Sequence, residues 1–158
     1  MNIVVGSDKN GYALKEEVAA MLREQGHVVY DVGTTDLNDP KPHTIAAPAA
    51  AKMIQSGQAE RGFLFCGTGM GMSIAANKHK GIYAAVVESL YSAEYCRKIN
   101  NANIMCTGSF IVGTAMAKEM VNIFLNTEFM QDFPQWRIEF CGGQQKILQQ
   151  LEEELFKE

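Results

Sequence analysis

The stretch Phe63-Leu64-Phe65-Cys66-Gly67-Thr68-Gly69-Met70-Gly71-Met72-Ser73-Ile74-Ala75-Ala76-Asn77-Lys78 reads as a buried strand, a glycine-rich turn and the start of a helix. A thiol, Cys66, sits where strand becomes turn. Gly67, Gly69 and Gly71 remove side chains where backbone must approach a ligand. Amide hydrogens freed in such a turn, and at the start of the following helix, favour negative charge. One segment thus offers a base or nucleophile in Cys66 and a hydroxyl in Thr68. From Gly67 through Met70 to Gly71 it also offers a cradle for an anion. The competing reading is a tight strand-to-helix turn around a buried, inert cysteine.

Several chemistries built on glycine-rich loops are excluded by spacing. A cysteine phosphatase loop needs Arg six positions after its Cys, and Met72 stands there. A nucleotide-hydrolase P-loop ends in Gly-Lys-Ser/Thr, whereas Met72-Ser73 follows the third glycine. The dinucleotide fingerprint is G-x-G-x-x-G, and the spacing here is G-x-G-x-G, so a nicotinamide cofactor is not supported. What remains is an anionic intermediate, an enediolate for instance, held by backbone amides beside a thiolate.

Outward from this loop the chain alternates between apolar runs and helical patterns. Expected strands are 2–6, 27–32, 62–65, 82–87 and 104–107, and expected helices are 11–25, 44–55, 69–79, 89–99, 112–125 and 142–156. Residues 34–42, with Asp39-Pro40 and Lys41-Pro42, read as a loop, and Pro48 weakens the helix expected around it. Repeated strand–helix–strand units predict an α/β, doubly wound, Rossmann-like five-stranded parallel sheet with helices on both faces and a closing C-terminal helix. The whole chain, 1–158, reads as a single domain. Ligands of such sheets bind beyond the carboxyl ends of the strands. Asp8, Thr34, Cys66 and Thr68 all follow strand ends and are expected to converge there.

The net charge of −4 argues against nucleic acid as a partner. No window is long and apolar enough to span a membrane, and no secretory leader precedes the first strand. Cys66, Cys96, Cys106 and Cys141 show neither metal-ligand spacing nor a disulfide pattern. No metal site is expected, and a reducing cytoplasm is the expected compartment, where a catalytic thiol stays usable.

The 63–78 segment closely resembles the signature of the ribose-5-phosphate isomerase B / galactose-6-phosphate isomerase family. Other stretches fit in the same order: Ile3-Val4-Val5-Gly6-Ser7-Asp8, Gly11, Leu14-Lys15, Asp31-Val32-Gly33-Thr34, Tyr91-Ser92-Ala93, Asn100-Asn101-Ala102-Asn103, Gly108-Ser109, Val112-Gly113 and Arg137. The resemblance covers essentially the whole chain. It implies cofactor-free interconversion of an aldose phosphate and its ketose, of the ribose 5-phosphate/ribulose 5-phosphate type. For such a substrate it implies a place in the pentose phosphate pathway of carbohydrate metabolism. Cys66 would move the carbon-bound proton, Gly67 to Gly71 would hold the oxyanion, and Thr68 would add a hydrogen bond. Asp8 would bind hydroxyls or shuttle a proton between oxygens, its plainer role being a helix cap. Asn100 would bind the sugar, from a neighbouring subunit if need be, unless it is only a turn residue. Arg137 would pair with the substrate's anion, unless it is a solvated surface residue. A homodimer or homotetramer is implied, with interface candidates in the last helix and in residues 133–140.

The chain departs from the family pattern at defined positions. Lys9 stands where family members carry His, and Lys41 where they carry Tyr. Ile99 replaces the His that opens the sugar ring, and Phe133 replaces one of two anion-binding arginines. Ring opening then falls to another group, with His43 the candidate among the mouth loops, or the substrate is already open-chain, as a tetrose derivative would be. Lys9 and Lys41 either restore the lost positive charge at the anion site or the substrate lacks phosphate. The alternatives are therefore a galactose 6-phosphate/tagatose 6-phosphate isomerase, a tetrulose phosphate isomerase and an isomerase of a non-phosphorylated or uronate sugar. A heteromer with a paralogous chain, or a non-catalytic sugar-phosphate-binding subunit, completes the set.

Overall fold

A computed structural model describes residues 1–157. The elements are β1 (Asn2–Ser7), α1 (Tyr12–Glu24), β2 (Val28–Asp31), α2 (His43–Gln55), β3 (Arg61–Cys66), α3 (Met70–Ala76), β4 (Ala84–Val86), α4 (Leu90–Asn100), β5 (Ile104–Gly108), α5 (Thr114–Leu125) and α6 (Gln135–Leu155). The strands form one parallel sheet in the order β2-β1-β3-β5-β4. The doubly wound α/β expectation therefore holds.

Period-two alternation sorts the strand side chains between two cores. Ile3, Val5, Phe63, Phe65 and Met105 face α1, α4 and α5 through Leu14, Val18, Leu22, Ala93, Met120 and Phe124. Val4, Leu64, Cys66, Ile104 and Cys106 face α2 and α3. There Ala46, Ala47, Ala50 and Ala51 put little bulk between helix and sheet. Burial on both faces explains why β1, β3 and β5 read as continuous apolar runs. The chain winds leftward from β1 to β2 and rightward from β1 to β3, so the topological switch lies at the carboxyl ends of β1 and β3. Asp8 and Cys66 sit there.

Three expected boundaries are corrected. The last helix begins at Gln135 behind Pro134, seven residues before the expected start at Gly142. Gly142 and Gly143 each cost about 1 kcal/mol against Ala, which is too little to end a helix held elsewhere along its length. Cys141 and Gln145 are buried in it, and Glu152 accepts hydrogen bonds from the Gly81 amide and the Tyr83 hydroxyl. α3 ends at Ala76, and the chain continues as turns. β4 is only three residues long, an edge strand whose start is held by Asn77 and Asn103 side chains. Pro48 lies inside α2 without ending it. No described helix is long and apolar enough to cross a membrane.

Candidate active site

The glycine-rich loop starts at Cys66, the last residue of β3, which is 6% exposed. Gly69 takes φ of +80°, and a Cβ there would fall 2.9 Å from the Thr107 Cα, so only glycine fits. This turn aims the Gly69 amide back at the sulfur, to which it donates at 3.0 Å. The donor suits a sulfur that carries negative charge during a reaction. Thr68 Oγ1 accepts from the Met70 amide at 3.4 Å. Among the described residues, the amides of Thr68, Gly71 and Met72 donate to no protein atom. The sulfur therefore has free backbone donors close by in sequence. Cys106 lies near it on β5, and burial first, then the Cys66 charge, pushes the Cys106 thiol well above its usual range. That second thiol stays protonated.

Asp8 lies against the same loop, its amide donating to the Phe65 carbonyl at 3.2 Å. Its Oδ1 accepts from the Asn10 and Gly11 amides, both at 2.9 Å, closing the turn ahead of α1, whose N-cap is Gly11 and not Asp8. Its Oδ2 has no partner among the described residues. With Lys9, Pro40, Lys41, Pro42 and His43 it lines a cavity of about 260 Å³. Lys9 and Lys41 are exposed, and the Lys41 ammonium lies 3.4 Å from the Val32 carbonyl. The His43 ring packs on Gly71, where a Cβ would fall 3.1 Å from its Cδ2. A larger cavity of about 370 Å³ lies between α2 and α3 and touches this site only through His43 and Gly71.

Thr34 does not face the crevice as expected. It is buried, accepts from the Lys41 amide at 3.0 Å and donates to the Ser7 carbonyl at 3.1 Å. It serves as a clamp on the loop that carries Lys41 and His43. The wholly buried Lys15 holds this clamp, donating to the Thr34 carbonyl at 2.7 Å and pairing with Asp31. Lys15 had a signal in the sequence, because it falls on the apolar stripe Leu14, Val18, Ala19, Leu22 where a cation needs a partner.

Asn100 and Arg137 lie elsewhere. Asn100 ends α4 just before β5 begins, while Cys66 pairs with Gly108 at the far end of β5. Strand rise alone puts about 13 Å between the two ends of β5. The exposed Asn100 lines a cavity of about 310 Å³ with Ile99, Phe140, Cys141, Gln144, Gln145 and Leu148. Arg137, in the first turn of α6, rests its guanidinium 4.0 Å from the centre of the Phe133 ring and 5.9 Å from that of Tyr95. Tyr95 in turn stacks on Tyr91 at 4.2 Å. No carboxylate among the described residues pairs with Arg137. Phe133 thus serves as a platform that holds the Arg137 guanidinium.

The pattern of the Ribose/Galactose Isomerase family matches residues 3–140. The chain belongs to this family. It is 48% identical over 157 residues to the 4-deoxy-4-sulfo-D-erythrose isomerase of Clostridium sp. (strain MSTE9), covering 99% of both chains. It is 38% identical to the D-erythrulose-4-phosphate isomerase 2 of Mycolicibacterium smegmatis, over 82% of this chain and 86% of that one. Its fold matches ribose-5-phosphate isomerase B of Clostridium thermocellum with a TM-score of 0.84 at 36% identity, covering 96% of this chain and 99% of the other. The chain is an aldose–ketose isomerase of the sugar-phosphate isomerase family. The family fold also accounts for the free amides beside Cys66, which suit a reaction that develops charge on oxygen.

Proposed function

We propose that this isomerase acts on an open-chain four-carbon aldose and its 2-ketose bearing an anion at C4, sulfonate ahead of phosphate. The observation that carries this reading is the lining of the cavity around Ile99 and Asn100. Ile99, Phe140, Cys141, Gln144, Gln145 and Leu148 supply neither a histidine nor a carboxylate to open a sugar ring. A tetrose whose C4 bears sulfonate, or whose O4 is esterified, has no hydroxyl to close a furanose, so nothing needs opening. The two tetrose-acting relatives point the same way, and the end-to-end match to the sulfo-erythrose isomerase puts sulfonate first. A sulfonate carries one negative charge against about 1.5 to 2 for a phosphate monoester, which suits one stacked guanidinium. Lys9 and Lys41 add point charges at the mouth rather than planar forks.

In this reading the Cys66 thiolate removes the C2 proton of the aldose. The electron pair forms the C1–C2 double bond, and the carbonyl oxygen becomes an oxyanion facing the amides of Thr68 and Gly71, with the Thr68 hydroxyl beside it. Asp8 Oδ2 carries the proton from O2 to O1, with His43 next to that path. The thiol then returns its proton to C1, leaving the ketone at C2. Asn100 and Arg137 reach this centre from a second copy of the chain in a homodimer or homotetramer, or from a paralogous chain. The distance along β5 supports that arrangement, and the exposed Trp136 and Phe140 supply apolar surface for it. A reducing cytoplasm suits a catalytic thiol, and no cofactor, metal or nucleic acid enters the reaction. The test is turnover of 4-deoxy-4-sulfo-erythrose, erythrose 4-phosphate and ribose 5-phosphate side by side. Faster turnover of either tetrose supports the reading, and faster turnover of ribose 5-phosphate contradicts it.

A further inference from the structure

Phe110 follows β5 by two residues and is 71% exposed, yet its backbone is tied to the glycine-rich loop. Its amide donates to the Gly67 carbonyl at 3.0 Å, and the preceding Ser109 amide donates to the Cys66 carbonyl at 2.9 Å. The Ser109 hydroxyl donates to the Asn10 carbonyl at 2.8 Å, tying the same turn to the loop that bears Asp8. On the far side, Val112 is buried and its amide donates to the Gly108 carbonyl at 3.0 Å. The backbone of Phe110 therefore moves with the catalytic loop. Its ring lies directly on Gly67, where a Cβ would fall 2.6 Å from Cε2 and 2.9 Å from Cδ2. His43 occupies the equivalent place at the other end, against Gly71. Two rings thus bracket the span Gly67 to Gly71.

We infer that Phe110 is a specificity-determining residue: its ring is the end-stop at the Gly67 end of the oxyanion cradle and rejects a substrate one carbon longer. This rests on the four-carbon reading above. The ring offers no hydrogen bond to an extra hydroxymethylene group, and its contact with Gly67 is the position a longer chain would have to displace. A chain that fits up to the ring packs its C–H groups against an apolar surface. A longer chain either displaces the ring or lifts its carbonyl from the free amides.

The test uses aldonate analogues, which bind without reacting. Erythronate 4-phosphate and ribonate 5-phosphate are titrated calorimetrically into the wild-type protein and into Phe110→Ala, Phe110→Leu and Phe110→Tyr. Removing the end-stop is expected to shift the five-carbon to four-carbon affinity ratio towards the longer ligand by about threefold to tenfold, less than one methylene is worth in a closed pocket because the ring is exposed. Phe110→Tyr keeps the wild-type ratio and Phe110→Leu falls between. A ratio unchanged within about twofold in both Phe110→Ala and Phe110→Leu overturns the proposal, as does a change confined to subunit assembly. Faster wild-type turnover of ribose 5-phosphate than of either tetrose sinks the four-carbon reading separately, because the Phe110 comparison reads a change in ratio and not its starting value.

Discussion

The two regions to which the proposed function assigns catalysis and recognition are built by opposite means. Around Cys66 the groups are mostly backbone: the Gly69 amide on the sulfur, the free amides of Thr68, Gly71 and Met72, and an Asp8 carboxylate half occupied by the turn ahead of α1. They lie at the carboxyl ends of β1 and β3, locked by the buried Lys15–Asp31–Thr34 clamp. Around Asn100 the groups are side chains on two helices at the opposite end of β5, with Arg137 resting on Phe133 and no ion pair fixing it. The proposed chemistry of proton transfer is the same for any sugar, and its core of Cys66, Thr68 and Asp8 matches the resembled pattern, while Lys9 and Lys41 beside it depart from that pattern. Recognition varies with the substrate, and Ile99 and Phe133, two of the chain's departures from that pattern, fall there.

The sharpest way to break this comparison is complementation. Copies bearing Cys66→Ala and copies bearing Arg137→Ala are each expected to be nearly inactive. Mixed after unfolding and refolding, they regain about a quarter of wild-type turnover, because half the dimers of a two-fold assembly are mixed and each mixed dimer holds one intact site. Activity that stays at the level of the separate variants would place both regions' work within one copy.

Lys15→Met probes the catalytic region alone. It leaves Asp31 without its buried partner and frees the Thr34 carbonyl, and urea unfolding is expected to show a loss of about 3–5 kcal/mol. The variant's kcat falls as the Lys41–His43 loop loosens. A loss below about 1 kcal/mol would show that the buried clamp contributes no more than a surface ion pair does.

Phe133→Ala probes the recognition region. Loss of the stacked platform is expected to raise KM by about threefold to thirtyfold, with kcat little changed, the worth of a cation–π contact at a partly buried site. Phe133→Tyr restores the wild-type KM. An equal fall in kcat would mean that the ring touches the reacting atoms.

The smallest expected effect concerns α6, which carries Arg137. Burial, then the hydrogen bond to Glu152, pushes the Tyr83 hydroxyl up to about 12. The folded value lies above the unfolded one of 10.0, so this contribution is intact below pH 10 and is lost as pH rises towards 12. Ultraviolet titration should show one late-ionising tyrosine that Tyr83→Phe removes. KM should rise over the same window before kcat changes.

The catalytic region was legible in the sequence because its information is local. Three glycines at alternate positions after a strand-ending cysteine define turn, donors and sulfur together. The element order was legible for the same reason. The strand order was not, because periodicity names elements and not neighbours, and β5 inserts between β3 and β4. Gly142-Gly143 suggested a boundary where α6 runs through, since propensity is a weak prior against tertiary packing. Phe110 gave no signal, because its contact with Gly67 joins residues far apart in sequence. Phe133 looked like a loss at the anion site until its ring was found beneath Arg137.

The most direct test of the central claim, that the Cys66 sulfur moves the carbon-bound proton, is hydrogen exchange in deuterated water. Wild-type protein incubated with the proposed tetrose substrate should place deuterium on the interconverted carbons, and Cys66→Ala should reduce that rate by about a hundredfold or more while still binding the four-carbon aldonate. Exchange by Cys66→Ala at a rate within a few-fold of wild type would contradict it.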